Sequence, residues 1–257
     1  MNAKKDEEKK DETSELLNEH KEVSPVAPKD LTIPGGATQR APGTESITGE
    51  DTTFPRYKLL QATSSEVESG EGSPGEFKHS LTEEKFDRKE IIPLCLLKTR
   101  VMFNEDDRKG APVCRSANLV NGSGCDCGCE NVCKACAYQG WENGMPPKCS
   151  LVYNYPCLTP AEVGKTALPT LISFMKASTQ AALKLNTTVQ ASFPPAPFWN
   201  HVWEISCSSK KFKKGSAYIV NVKQLRETTA VERAWCAQVY NHCVAGKTVD
   251  VEYDADA

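Results

Sequence analysis

The chain of 257 residues has no apolar run near the ~20 residues that cross a bilayer, which argues against a membrane-spanning helix. It has four histidines, His20, His79, His201 and His242, and none stands at a catalytic spacing. It lacks a Walker loop, a G-x-S-x-G elbow, an H-E-x-x-H helix and a paired-carboxylate metal motif. These absences favour binding over catalysis, so the protein is not expected to be an enzyme. Hydrophobic residues make up 39%, and the shortage is local. Residues 1–50 contain no aromatic residue and too few apolar ones to offset the entropy of ordering the chain. Residues 1–52 therefore read as a disordered tail, rich in acids and lysine. No apolar signal core follows the charged N-terminus, so a cytoplasmic setting is expected, where thiols stay reduced.

Charge is segregated. Residues 1–50 carry 7 Lys/Arg against 11 Asp/Glu, residues 250–257 carry four acids and no base, and residues 51–249 keep 24 basic and 19 acidic side chains. A mildly basic body, residues 53–249, thus lies between two acidic ends, a pattern of interaction tails and of solubilising ends alike.

The body reads as mainly β. "FPRYKLLQ" (Phe54 to Gln61), "EIIPLCLLKTRVMF" (Glu90 to Phe103), "PTLISFMKAS" (Pro169 to Ser178), "FWNHVWEISCSS" (Phe198 to Ser209) and "SAYIVNVKQL" (Ser216 to Leu225) have strand character. Pro93 interrupts the second and predicts an edge or a bulge. The last two strands form a hairpin through "KKFKKG". A short helix follows Ser178, its predicted cap, with Ala182 and Leu185 inward. A second helix begins at a Thr229–Glu232 capping box, with Val231, Trp235, Val239 and Cys243 at helical spacing. The sum is a small β-barrel with short helices.

Seven of the twelve cysteines lie between Cys114 and Cys149, in an insertion without regular period. Cys133 and Cys136 form a Cys-x2-Cys knuckle, a spacing that lets two thiolates reach one zinc ion. Cys149 and Cys114 complete the expected structural zinc site of Cys114, Cys133, Cys136 and Cys149. Any of Cys125, Cys127 and Cys129 can stand in for Cys114. Trp141 is expected to pack over the knuckle. Cys95, Cys157, Cys207, Cys236 and Cys243 fall among apolar residues and read as small hydrophobes, and His201 reads as a hydrogen-bonded strand residue.

Several stretches combine cations with a ring, as sequence-tolerant binding of single strands requires. Arg56 and Lys58 flank Tyr57; Arg100 precedes Phe103; Phe174 precedes Lys176; Lys210, Lys211, Lys213 and Lys214 surround Phe212. These cations, with Phe174 and Phe212, are the candidate DNA-binding residues.

The order of these blocks, "FPRYKLLQATSSEVESGEGSPGEF", a strand, the cysteine segment with its knuckle and "PPKC", "PTLISFMKAST", then "KKGSAYIV", resembles bacteriophage single-stranded DNA-binding proteins. The resemblance spans about Phe54 to Leu225. It implies an OB-fold barrel with an inserted zinc knuckle, at about 114–149 here. It also implies protection of single-stranded DNA during replication or recombination, without hydrolysis, in the bacterial host cytoplasm. "CDCGC" and the long N-terminal tail depart from that pattern. The competing reading is a zinc-stabilised adaptor for a replication or transcription protein, with weak nucleic-acid affinity.

The acidic residues 250–257 are expected to recruit replication or recombination proteins and to compete with DNA for a basic surface. Their removal should tighten single-strand binding at low salt, with a gain that fades as salt screens the competition. Titration of both chain lengths with oligo-dT checks this; equal affinity at low salt would leave recruitment as the tail's only role.

Overall fold

The computed structural model describes residues 54–104, 111–142, 144–212 and 215–244, with Gly43 and Ser46, and without the side chains of residues 243 and 244. Apart from those two residues, the tail expected over 1–52 lies outside the described residues, as do 250–257 and Lys213 and Lys214. The elements in chain order are β1 (Arg56–Leu59), a one-turn helix α1 (Ser65–Glu68), β2 (Phe77–His79), β3 (Lys85–Phe86), β4 (Arg88–Pro93), β5 (Leu97–Met102) and β6 (Cys114–Ser116). After the cysteine loop come β7 (Ser150–Leu158), β8 (Thr170–Met175), α2 (Thr179–Gln190), β9 (His201–Phe212), β10 (Gly215–Glu227) and α3 (Ala230–Val239). No helix among the described residues is long and apolar enough to cross a membrane.

The protein is mainly β, but the sheet does not close into the expected barrel. Its order is β10-β9-β4-β7-β8-β1-β2-β3, with β5 beside β7 and β6 beside β5. Only β1 and β8 run parallel; the other described pairs are antiparallel. Closure fails between β1 and β10 for a local reason. The Gln61 side-chain amide accepts from Tyr218 N and donates to Tyr218 O, both at 2.9 Å. The Val220 N–H of β10 donates to Ser178 Oγ at 3.0 Å. Side chains thus satisfy backbone groups on this edge of β10, where a ladder would have drawn β1 in to ~4.8 Å.

The long apolar run at Glu90 to Phe103 is two strands with a bulge between them. Pro93 pairs with Cys157, yet Leu97 pairs with Asn154, so β4–β5 has one residue more than β7 there. Pro93 has no N–H for a ladder. The Pro156 carbonyl accepts from Leu94 N at 2.8 Å, so its own hydrogen-free nitrogen faces the same bulge, where no donor is needed. Strand β7 itself was not legible in the sequence, because Pro156 and the neighbouring cysteine segment masked it.

The β9–β10 hairpin forms, with Val220 and Val222 buried on one face, but its ladder runs on to Phe212 and Gly215, so Lys210, Lys211 and Phe212, expected in the turn, lie in β9. Helix α2 lays Ala182 and Leu185, both 0% exposed, against the sheet. Tyr155 Oη donates to Asn186 Oδ1 at 2.8 Å to fix it. Ser178 does not cap that helix; its hydroxyl serves Val220 instead. Helix α3 packs Trp235, Cys236 and Val239 on Ile92, Leu94, Leu158 and Val202. Each large side chain buried here contributes about 1.5–3 kcal/mol. Val231 is exposed rather than inward, since it lies one turn before the helix meets this cluster. His201 is buried with Nδ1 3.1 Å from Gln224 Nε2. Cys157 and Cys236 are buried, Cys95 and Cys207 partly so, and the Cys243 side chain lies outside the described residues.

The capping box that starts α3 is present as predicted, and Glu232 also takes both guanidinium nitrogens of Arg226 at 2.8 Å. Arg226 and the Thr229 backbone hold the Glu232 carboxyl at about 2, against an ordinary 4.5. A depressed carboxyl stabilises the fold above its ordinary value and loses that contribution as pH falls towards about 2. Glu232→Gln should therefore lower stability at neutral pH and flatten the acid side of the stability profile. Denaturant midpoints from pH 7 down to pH ~2 check this; parallel profiles for the two proteins would refute it.

Candidate metal centre and basic groove

The cysteine loop is polar and mostly exposed, so short local bonds define it. Asn118 Oδ1 accepts from Val120 N and Asn121 N, at 2.9 and 3.0 Å. Gly122 N donates to Asn131 O at 2.7 Å, and Cys133 N to Val120 O at 2.9 Å. Asn131 Oδ1 takes the Cys125 N–H at 3.2 Å. Glu130 and Asn131 both have positive φ, 48° and 62°, which reverses the chain between "CDCGC" and the knuckle. Gly124 has φ 83°, and a Cβ there would collide with the Val113 carbonyl.

These turns bring together Cys125, Cys127, Cys129 and Cys136, whose sulfurs all lie within 4.8 Å of one another. Cys125 Sγ is 3.0 Å from Cys127 Sγ and 3.7 Å from Cys136 Sγ, and Cys127 is 3.6 Å from Cys136. Four thiolates at ~2.3 Å around a tetrahedral ion stand about 3.8 Å apart, so the group could hold one metal ion. Hydrogen bonds from Cys125 and Cys129 lower the Cys127 thiol to about 6.

Of the four expected ligands, only Cys136 belongs to this group. Cys133 begins a short 3-10 turn and is buried near Cys114, while Cys136 stands within the four-sulfur group; both line one small cavity with Cys114 and Cys149. Spacing alone could not show this, because a Cys-x2-Cys pair reads the same whether its sulfurs share an ion or not. The signal for the observed group was the three cysteines at every second residue in "CDCGC". Trp141 is 73% exposed and does not pack over the knuckle.

The expected DNA-binding residues that are described separate into four places. Arg56, Lys58 and Lys176 line a groove of about 700 Å³ between β1, β8 and β10, where the sheet stays open. Lys78 and Tyr218 join them there. Lys58 pairs with Glu66 at 3.2 Å, and Lys78 pairs with Glu83. Lys176 is exposed, with φ 48°, a left-handed backbone that costs a non-glycine residue roughly 1–3 kcal/mol. Its Nζ sits 5.8 Å from the Phe103 ring centre. At the outer end of the hairpin, Lys210 and Lys211 are exposed, Phe212 is 45% exposed, and Lys210 Nζ lies 5.6 Å from its ring centre. Phe174 and Arg100 are elsewhere. Phe174 is fully buried against Tyr155, since its place in β8 points it into the core. Arg100 Nη1 donates to the Cys149 carbonyl at 3.4 Å, beside the cysteines.

The model of the family described as Pam3 phage gp34-like protein matches residues 31–248, most of the chain. No curated protein and no solved structure matches it.

The Gly124 geometry yields a test of the metal group. Gly124→Ala should push Cys125 away from the other three sulfurs and weaken metal retention by roughly 10–100-fold, the scale of supporting-shell changes. Gly140, where a Cβ meets nothing within 4 Å, provides the control variant Gly140→Ala. Metal release to a chromogenic chelator reads both; equal rates would mean that the loop does not position ligands.

Proposed function

The chain belongs to the Pam3 phage gp34-like protein family, and we propose that this phage protein binds and shields single-stranded DNA along the open seam of its sheet. The observation that carries the reading is the groove at that seam. It gathers Arg56 and Lys58 from β1 with Lys176 from the end of β8, and the hairpin that forms its far wall continues to an exposed Phe212 between lysines. Cations spaced along a groove follow the phosphates of a single strand, and an exposed ring stacks on whichever base arrives. The strained backbone at Lys176 fits a residue held in place for binding, since such strain collects at functional sites. Glu66 and Glu83 offset part of the positive charge, which suits moderate, salt-sensitive binding. Zinc is the ion for the cysteine group, because four thiolates without histidine suit a tetrahedral, redox-inert metal. Its role is to staple the loop, not to react, and the protein hydrolyses nothing.

The two binding contributions are separable. Arg56→Ala with Lys176→Ala should flatten the dependence of log affinity on log salt by about 0.7 for each phosphate that the protein no longer neutralises. Phe212→Ala should weaken binding by about 1–3 kcal/mol at every salt concentration. Fluorescence titration with oligo-dT, with duplex DNA and RNA as comparators, reads both effects. No salt-dependent binding by the parent chain would eliminate the DNA reading in favour of a zinc-stabilised adaptor.

A further inference from the structure

The four-cysteine group leaves Cys114, Cys133 and Cys149 unused, and they are 7%, 8% and 6% exposed in a loop that is otherwise mostly open to solvent. They are brought together by separate means. Met102 of β5 pairs with Cys114 of β6, while Val101 pairs with Ser150, the residue after Cys149, at the start of β7. Residues opposite one another across a sheet share a face. Cys114 and Cys149 thus stand on either side of Met102 and pack with it, Cys125 and Tyr138. Cys133 approaches from the facing wall. A Cβ at Gly122 would lie 3.3 Å from Cys114 Sγ and 3.6 Å from Cys133 Sγ, so the two sulfurs converge where residue 122 has no side chain. Cys114, Cys125, Cys133 and Cys149 line a cavity of about 10 Å³, room for about one water-sized sphere, and Cys129 and Cys136 of the first group close its other side.

We propose that this cavity is a second metal site, formed by Cys114, Cys133 and Cys149 and completed by Cys125, whose thiolate bridges to the first ion. The inference rests on the reading of the first four cysteines as a metal centre. Cys125 is placed for both duties. Its sulfur is 3.0 and 3.7 Å from those of Cys127 and Cys136 on one side, and it packs with Cys114 and Cys149 on the other. One shared thiolate lets the seven cysteines of the loop supply four ligands to each of two tetrahedral ions. An all-thiolate site without histidine selects a thiophilic divalent ion of the zinc class. Binding releases one proton each from Cys114, Cys133 and Cys149. Arg100, which also lines the cavity, offsets part of the cluster's excess negative charge. Among the described residues only the first four cysteines have sulfurs all within 4.8 Å, so the second set draws inward as its ion binds.

Native mass spectrometry and elemental analysis of the full chain, loaded with zinc or with cadmium, test the proposal. The expected result is two ions per chain and two cadmium NMR resonances coupled through the shared sulfur. Cys114→Ser or Cys149→Ser should leave one ion. Should those variants fail to fold, the parent chain's stoichiometry and coupling still decide. One ion in the parent overturns the second site and spares the first. No ion overturns both. Two uncoupled resonances overturn the bridge.

Discussion

The ladders on either side of Ser150–Leu158 position almost everything else in the molecule. One edge of this strand pairs with β5 and then, past the bulge, with β4; the other pairs along β8. The two β5 ladders set Cys114 and Cys149 on either side of Met102, and so fix both ends of the cysteine loop. The β8 ladder runs to Met175, and the chain then turns through Lys176 into the groove. The bulge between Pro93 and Leu97 turns β4 away to meet β9, which brings the hairpin round to face β1. Two prolines at one bulge make the redirection tolerable, because neither has an N–H to leave unpaired.

The open seam follows from how the edge of β10 is treated. Buried backbone donors and acceptors must be paired, and a free edge otherwise invites another strand. Here Gln61 and Ser178 reach across with side chains. A side chain adds length that a direct ladder does not, so the edge is satisfied while β1 and β10 remain apart. Cys207 Sγ, which donates to the Gly75 carbonyl at 2.7 Å, adds a further tether. The groove is thus a consequence of edge protection, and its cations come from elements that the rest of the sheet already orders.

The cysteine loop has the opposite problem. It has too few apolar residues to fold by burial and is held by asparagine turns and short backbone bonds. Metal–thiolate bonds supply folding energy where a hydrophobic core cannot. The buried cysteines lie on the side that meets Met102 and Arg100, so cysteine packing is also the loop's attachment to the sheet.

Local signals were legible in the residues themselves. The β9–β10 hairpin, the α2 inner face at Ala182 and Leu185, the Thr229–Glu232 capping box and the irregularity at Pro93 depend on neighbours within a few positions, and periodicity and capping chemistry report those. A cluster of cysteines that could hold a metal ion was equally legible, because thiol clustering is a property of composition and spacing. Which sulfurs stand closest was not, since the approach of Cys125, Cys127 and Cys129 to Cys136 depends on the turns at Val120 and Asn131. Nor was β7, where Pro156 hid a strand that only its two neighbours make tolerable. Phe174 looked like a surface ring beside a lysine, yet strand alternation and the Tyr155 contact put it inside. Sequence thus determined which pieces exist, through short-range chemistry. The tertiary structure decided which sulfurs meet, whether the sheet closes and which cations share a groove, because those depend on contacts between residues far apart in the chain, such as Gln61 and Tyr218.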